Sequence, residues 1–258
     1  MASAPQQSSL PVLYQDLIPL SSVDHKDWKA RNVDSAPWLV GTHAVPVTCD
    51  ELPLAQRYYP IVFSAGPDPV PLALMGLNEG VNVYVDDEGK LLNQVYVPAY
   101  VRRYPFMLAR LRPDTDELSL CFDPSANVIG PDFEDGRPLF DEEGKPTAVV
   151  TDVLGFCEQW EQSWQRTTAF MKELVDAKLL IDGEVSIQPE GAEQPFLYRG
   201  FQMISEEKIN ELRGDQARKM VQNGILPLVY AHLFSLSLMS DIFSKQMQAG
   251  KVVPNALT

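Results

Sequence analysis

TAVVTDVLGFCEQWEQSWQRTTAFMKELVDAK, residues 147–178, places Val150, Val153, Leu154, Cys157, Trp160, Trp164, Thr167, Met171 and Leu174 three or four positions apart. That spacing puts them on one face of a long helix. Glu158, Glu161, Gln165, Lys172 and Glu173 fall on the other side, as a solvated face requires. Upstream of this helix the pattern is different. Short β-branched and aromatic runs at 43–47, 61–64, 71–75, 82–85, 106–110 and 118–122 alternate with turn residues, the signature of an antiparallel or mixed sheet. The change of period within one chain defines an α+β fold: an N-terminal mixed or antiparallel sheet with short helices, then a long amphipathic helix, then a C-terminal helical segment.

Local chemistry marks the joints. Asp86-Asp87-Glu88-Gly89 and Asp141-Glu142-Glu143-Gly144 each end on a glycine that accepts positive φ, so both read as tight turns. Thr48-Cys49-Asp50-Glu51 has capping-box spacing, with Pro53 expected in the first turn of the helix that follows. Ile181-Asp182-Gly183 ends the long helix, and 185–187 with 197–203 read as a late pair of strands. Ser205 begins a further helix, and the last one starts near Leu226-Pro227 and runs through Tyr230-Ala231-His232-Leu233-Phe234-Ser235-Leu236. Its apolar stretch, 225–239, is shorter than the roughly 20 residues a bilayer span needs, so it reads as a core helix. Arg57-Tyr58-Tyr59-Pro60-Ile61-Val62-Phe63 and Arg102-Arg103-Tyr104-Pro105-Phe106-Met107-Leu108 echo one another as a basic-aromatic helix end, a proline stop and an apolar strand.

Composition narrows the function classes. The 258 residues carry a formal net charge of −14, which repels phosphate backbones and anionic membranes, so nucleic acid is not an expected partner. Cys49, Cys121 and Cys157 are widely spaced and read as free buried thiols. Residues 1–12 read as a disordered leader preceding a single domain at 13–250; without a basic stretch and an apolar run at the start, a cytoplasmic location is the expectation, with surface association only through a dedicated export route. Phosphate-binding glycine loops, a nucleophile elbow and a zinc helix are absent from the sequence, and no residue is assigned a catalytic role.

Two constellations remain. Arg57, Tyr58, Tyr100, Arg102, Arg103 and Tyr104 combine guanidinium donors with stacking rings, which suits a carboxylate or peptide and predicts a partner-binding surface. The alternative is a two-histidine, one-carboxylate Fe(II) site from His25, Asp27 and His232, which would make the chain an oxygenase of a peptide or small molecule; the first reading needs no cofactor. His43 at a strand end reads as a backbone-bonded imidazole.

His25-Lys26-Asp27-Trp28, Thr42-His43-Ala44-Val45-Pro46-Val47, the two basic-aromatic segments with Tyr96-Val97-Pro98-Ala99-Tyr100 before the second, Leu139-Phe140-Asp141 and the 230–236 segment, in this order, resemble the SapC family across roughly residues 13–240. The resemblance implies a bacterial protein associated with a surface layer or with TonB-dependent uptake, and it carries over no catalytic residues. The expected function is therefore a non-enzymatic accessory protein of such an envelope system that engages a protein or peptide.

Overall fold

The computed structural model describes residues 10–112, 114–189 and 194–251. Most of the expected leader, residues 1–9, and the middle of the loop after the 185–187 strand, residues 190–193, lie outside the described residues. Contacts group the chain into two compact units, Met1–Asp34 with Arg103–Gln159 and Ser35–Arg102 with Trp160–Thr258. The fold is α+β as the change of period implies, and all the strand pairings among the described residues are antiparallel.

In the first unit Ser119–Phe122 lies between Ile18–Pro19 and Phe106–Ala109, and Lys29–Ala30 lies between Ile129–Gly130 and Arg137–Pro138. Phe122 is wholly buried, and His25 and Trp28 meet it edge-on at 5.3 and 5.9 Å, an arrangement that ring quadrupoles favour. Asp123, which follows Phe122 in the chain, is 1% exposed. Its carboxylate accepts the Gln15 N–H at 2.6 Å and the Ser125 N–H at 2.8 Å. Burial opposes its ionisation, but these bonds outweigh burial and hold the carboxyl below its ordinary range.

The second unit holds a five-stranded sheet in the order Leu180–Asp182, Phe201–Ile204, Ile61–Ser64, Pro71–Leu74, Ala44–Pro46. Two differences from the sequence reading have local causes. Residues 82–85 form no continuous strand: the Val83 N–H reaches Met75 O at 2.9 Å and Val85 makes a single bridge to Leu91, while between them the Asn82 side chain accepts the Tyr84 N–H at 2.9 Å and donates to Leu39 O, so the pairing stays isolated. Ile181 and Asp182, read with Gly183 as the break that ends the long helix, belong to the edge strand Leu180–Asp182 of the sheet. The expected 197–203 strand is two: Phe196–Tyr198 forms a hairpin with Val185–Ile187, and Phe201–Ile204 enters the sheet.

Helix joints follow the sequence closely. The long helix spans Ala148–Asp176. Glu51 Oε2 accepts from the Thr48 N–H at 2.9 Å and the Thr48 hydroxyl at 2.8 Å, opening a 3₁₀ turn that leads into Leu52–Ala55 with Pro53 in its first turn. Asp86 and Asp141 each bind two N–H groups of their turns, and Gly89 and Gly144 take φ of 81° and 77°. The three cysteines are buried and free.

Ile225–Ser235, the turn Leu236–Leu238 and Met239–Gln248 together make a helical run of 24 residues with mean hydropathy 1.5 in its most apolar window, long and apolar enough to cross a bilayer. This corrects the expectation that the apolar stretch ends too soon. The run is nevertheless bonded to the second unit's backbone through its polar side chains. His232 bridges Ile61 and Ile204, the Ser235 hydroxyl accepts the Ile61 N–H at 2.9 Å, and Gln246 Oε1 accepts the Leu77 N–H at 2.6 Å.

Candidate functional site

The six residues expected to form an arginine-tyrosine surface are divided by burial. Arg57 and Arg102 are exposed and Tyr58 is half-buried, whereas Tyr100, Arg103 and Tyr104 are 2%, 4% and 7% exposed. In the second unit Arg102 lies 5.7 Å from the Tyr96 ring and donates to Val97 O at 3.1 Å and to the Tyr96 hydroxyl at 3.3 Å. That hydroxyl donates to Glu51 Oε1 at 2.7 Å, which also accepts the Ala99 N–H at 2.6 Å. Burial, reinforced by the Glu51 carboxylate, pushes the Tyr96 phenol up to about 12. Tyr59, Tyr84 and Tyr58 continue this network through carbonyl bonds and ring contacts. In the first unit Arg103 sits 6.0 Å from the Tyr14 ring, and Tyr104 donates to Asp123 at 3.4 Å. The guanidinium groups at 102 and 103 thus face different surroundings, and half of the expected surface is interior.

The imidazoles are held by backbone. His232 is wholly buried; Nδ1 lies 2.8 Å from Ile61 O and Nε2 accepts the Ile204 N–H at 3.1 Å, so both nitrogens are committed and no lone pair remains for a metal. Burial pushes its pKa down to about 4. His25 Nδ1 accepts the Ser21 N–H at 3.0 Å, and Asp27 points into solvent on an exposed stretch. Among the described residues no three His, Cys, Asp or Glu side chains gather into a metal-holding group.

Among the described residues of the second unit, concave surface is found on two flanks of the long helix. On one flank a cavity of about 620 Å³ is bordered by Cys49, Asp50, Arg166 and Glu173 together with Ile225 and Leu228. Its charges are neutralised internally. Arg166 forks onto Asp50, which also accepts from the Ser163 hydroxyl at 2.7 Å and the Cys49 thiol at 3.6 Å, and Lys219 binds Glu173 at 2.8 Å. The Arg166 guanidinium holds the Asp50 carboxyl below its ordinary range, and burial raises the Cys49 thiol, which is therefore not an activated nucleophile.

On the other flank a groove of about 560 Å³ runs between Trp164, Met171 and Val175 of the helix and, opposite, Pro67 and Pro69 of the loop between two central strands with Pro71 at the start of the second strand. Pro67, Pro69 and Val175 also border a smaller cavity of about 330 Å³ lined by Lys178, Lys208, Leu180 and Gln202, so the two adjoin along those three residues. The helix presents Trp164, Thr168, Met171 and Val175 at helical spacing, and Trp160 stacks on Trp164 at 5.0 Å and fixes its ring. Thr167 locks the helix in place, accepting the Cys49 N–H and donating to Ser163 O, both at 2.8 Å. Sequence reasoning assigned Trp164, Thr167 and Met171 to the core face and Lys172 to the solvated face, and missed the groove. The signal available was Gly66-Pro67-Asp68-Pro69-Val70-Pro71, a rigid loop too poor in N–H groups to pair along its whole length.

These features define an antiparallel α+β protein whose candidate site is an open, partly apolar groove along one long helix. The chain belongs to the SapC family, whose model matches residues 20–242. Comparison with curated proteins and with solved structures gives no match.

Proposed function

We propose that this chain is a non-enzymatic accessory protein that binds a protein or peptide partner in a bacterial envelope-associated system, of surface-layer or TonB-dependent uptake type. The envelope setting rests on the family to which the chain belongs. The observation that carries the binding role is the groove: an open channel with Trp164 and Val175 on one wall and three prolines on the other, and without a histidine or cysteine in its lining. Open apolar channels with a few polar groups suit recognition of an extended segment whose backbone stays hydrated. The Fe(II) oxygenase reading has less support, because His232 has both ring nitrogens engaged.

The test is recovery of partners from the native host on the immobilised full chain, with Val175→Glu as the control. A partner retained by the native chain and lost with the variant supports the role. Equal retention by both removes the groove from it, and stoichiometric iron in protein purified without chelator, with oxygen consumption, would replace the binding role by the oxygenase.

A further inference from the structure

We infer that the groove takes the free C-terminal carboxylate of an apolar peptide segment, with Lys178 and Lys208 as the anion clamp; this rests on the binding role proposed above. The charges decide the polarity of the occupant. Asp68 and Asp176 border the apolar stretch, where Lys172 neutralises Asp176 at 2.9 Å. The smaller end contains two lysines and no carboxylate. Among the described residues neither Lys178 nor Lys208 forms an ion pair, in a chain of net charge −14 where partners are plentiful.

The fold places the Lys208 ammonium and the Lys178 backbone. The Lys208 ammonium donates to Leu180 O at 3.1 Å, leaving two of its three N–H donors for an anion. Lys178 ends the long helix with a φ of 55°, a left-handed position that glycine or asparagine fills at lower cost. The negative end of that helix accounts for one nearby cation. It does not account for the second, which comes from the separate helix Glu206–Asn210. On the opposite flank of the long helix, by contrast, Arg166 and Lys219 are each paired to a carboxylate.

A peptide terminus fits better than an acyl chain. The groove is open along one side, so a hydrocarbon laid in it would keep much of its surface in water, whereas a peptide presents apolar side chains inward and polar backbone outward. The repulsive field of the acidic surface is screened within about 8 Å at physiological salt, so two local ammonium groups dominate at contact range.

The test uses the full chain, immobilised, and a pool of N-acetylated hexapeptides built from Ala, Leu, Val, Phe, Tyr and Pro, half with free carboxylates and half as isotopically marked C-terminal amides. Retention is read by mass spectrometry. The expected result is at least tenfold enrichment of acids over amides, falling to equal retention with Lys178→Gln combined with Lys208→Gln, whose melting curve confirms folding. Equal retention of acids and amides by the native chain, no retention of either, or a preference that survives the double substitution would overturn the proposal. So would displacement of the peptides by dodecanoate at lower concentration, which would assign the groove to acyl carboxylates. Loss of the carboxylate preference while a host partner is still captured in a Val175-dependent way would sink this inference and leave the binding role standing.

Discussion

His232 Nδ1 lies 2.8 Å from the carbonyl oxygen of Ile61, and this contact, with the Ile204 N–H on the opposite nitrogen, joins the C-terminal helix to two adjacent sheet strands. The ring bridges backbone as a neutral imidazole, and burial disfavours its charged form, with the Ile61 carbonyl partly opposing that effect. A base whose folded pKa is about 4 against an ordinary 6.5 binds its proton more readily in the unfolded chain. Its stabilising contribution is complete above pH 6.5 and is lost as the pH falls towards 4, by about 3 kcal/mol in all. Urea denaturation between pH 7 and 4 should show this fall in the native chain and a flatter profile in His232→Gln.

Glu51 should be the costliest single carboxylate to remove. It accepts from two donors of Thr48, from the Tyr96 hydroxyl and from the Ala99 N–H, at 2.6 to 2.9 Å and 7% exposure. Glu51→Ala leaves these buried donors without an acceptor and is expected to cost about 3 kcal/mol, measured as a lower denaturation midpoint at unchanged slope.

Arg102 and Arg103 should separate in the same assay. Arg103 is 4% exposed and stacked near Tyr14, so Arg103→Ala is expected to destabilise by about 2–4 kcal/mol. Arg102→Ala, an exposed side chain beside the half-buried Tyr96 ring, should stay within about 1 kcal/mol. Joint substitution therefore cannot report partner binding by itself, and Arg102→Ala alone is the usable probe.

The Asp50 and Arg166 pair, though well aligned, is half-exposed on both sides. A double-mutant cycle with Asp50→Asn and Arg166→Gln should return only a small coupling that diminishes in salt.

Gly89 should resist substitution for two reasons at once. Its φ is 81°, and an added Cβ would stand 2.4 Å from the Ala36 carbonyl carbon, which is backbone and cannot swing aside. Gly89→Ala is expected to cost at least about 2 kcal/mol by thermal unfolding, against less for Gly144→Ala, where φ is similar but space is open.

Local chemistry in the sequence sufficed where a signal and its consequence lie a few residues apart. The period of the long helix, the Thr48 capping box and the two aspartate-glycine turns are all interactions closed within one turn of chain. It misled at 82–85, where alternation suggested a strand and the Asn82 amide satisfied the backbone first, and at Leu180–Asp182, where two apolar residues became an edge strand only because Phe201–Ile204 lies beside them.

The sequence by itself determined the α+β class, the family and most helix joints, because periodicity and capping are short-range and additive along the chain. Only the tertiary structure decided that Arg103 and Tyr104 are interior while Arg102 is exposed, that His232 spends both nitrogens on strands far from it in sequence, and that a proline loop faces the long helix across an open groove. The physical reason is that burial and the pairing of polar atoms depend on which distant segments pack together, and neighbouring residues with nearly the same side chain can meet opposite environments.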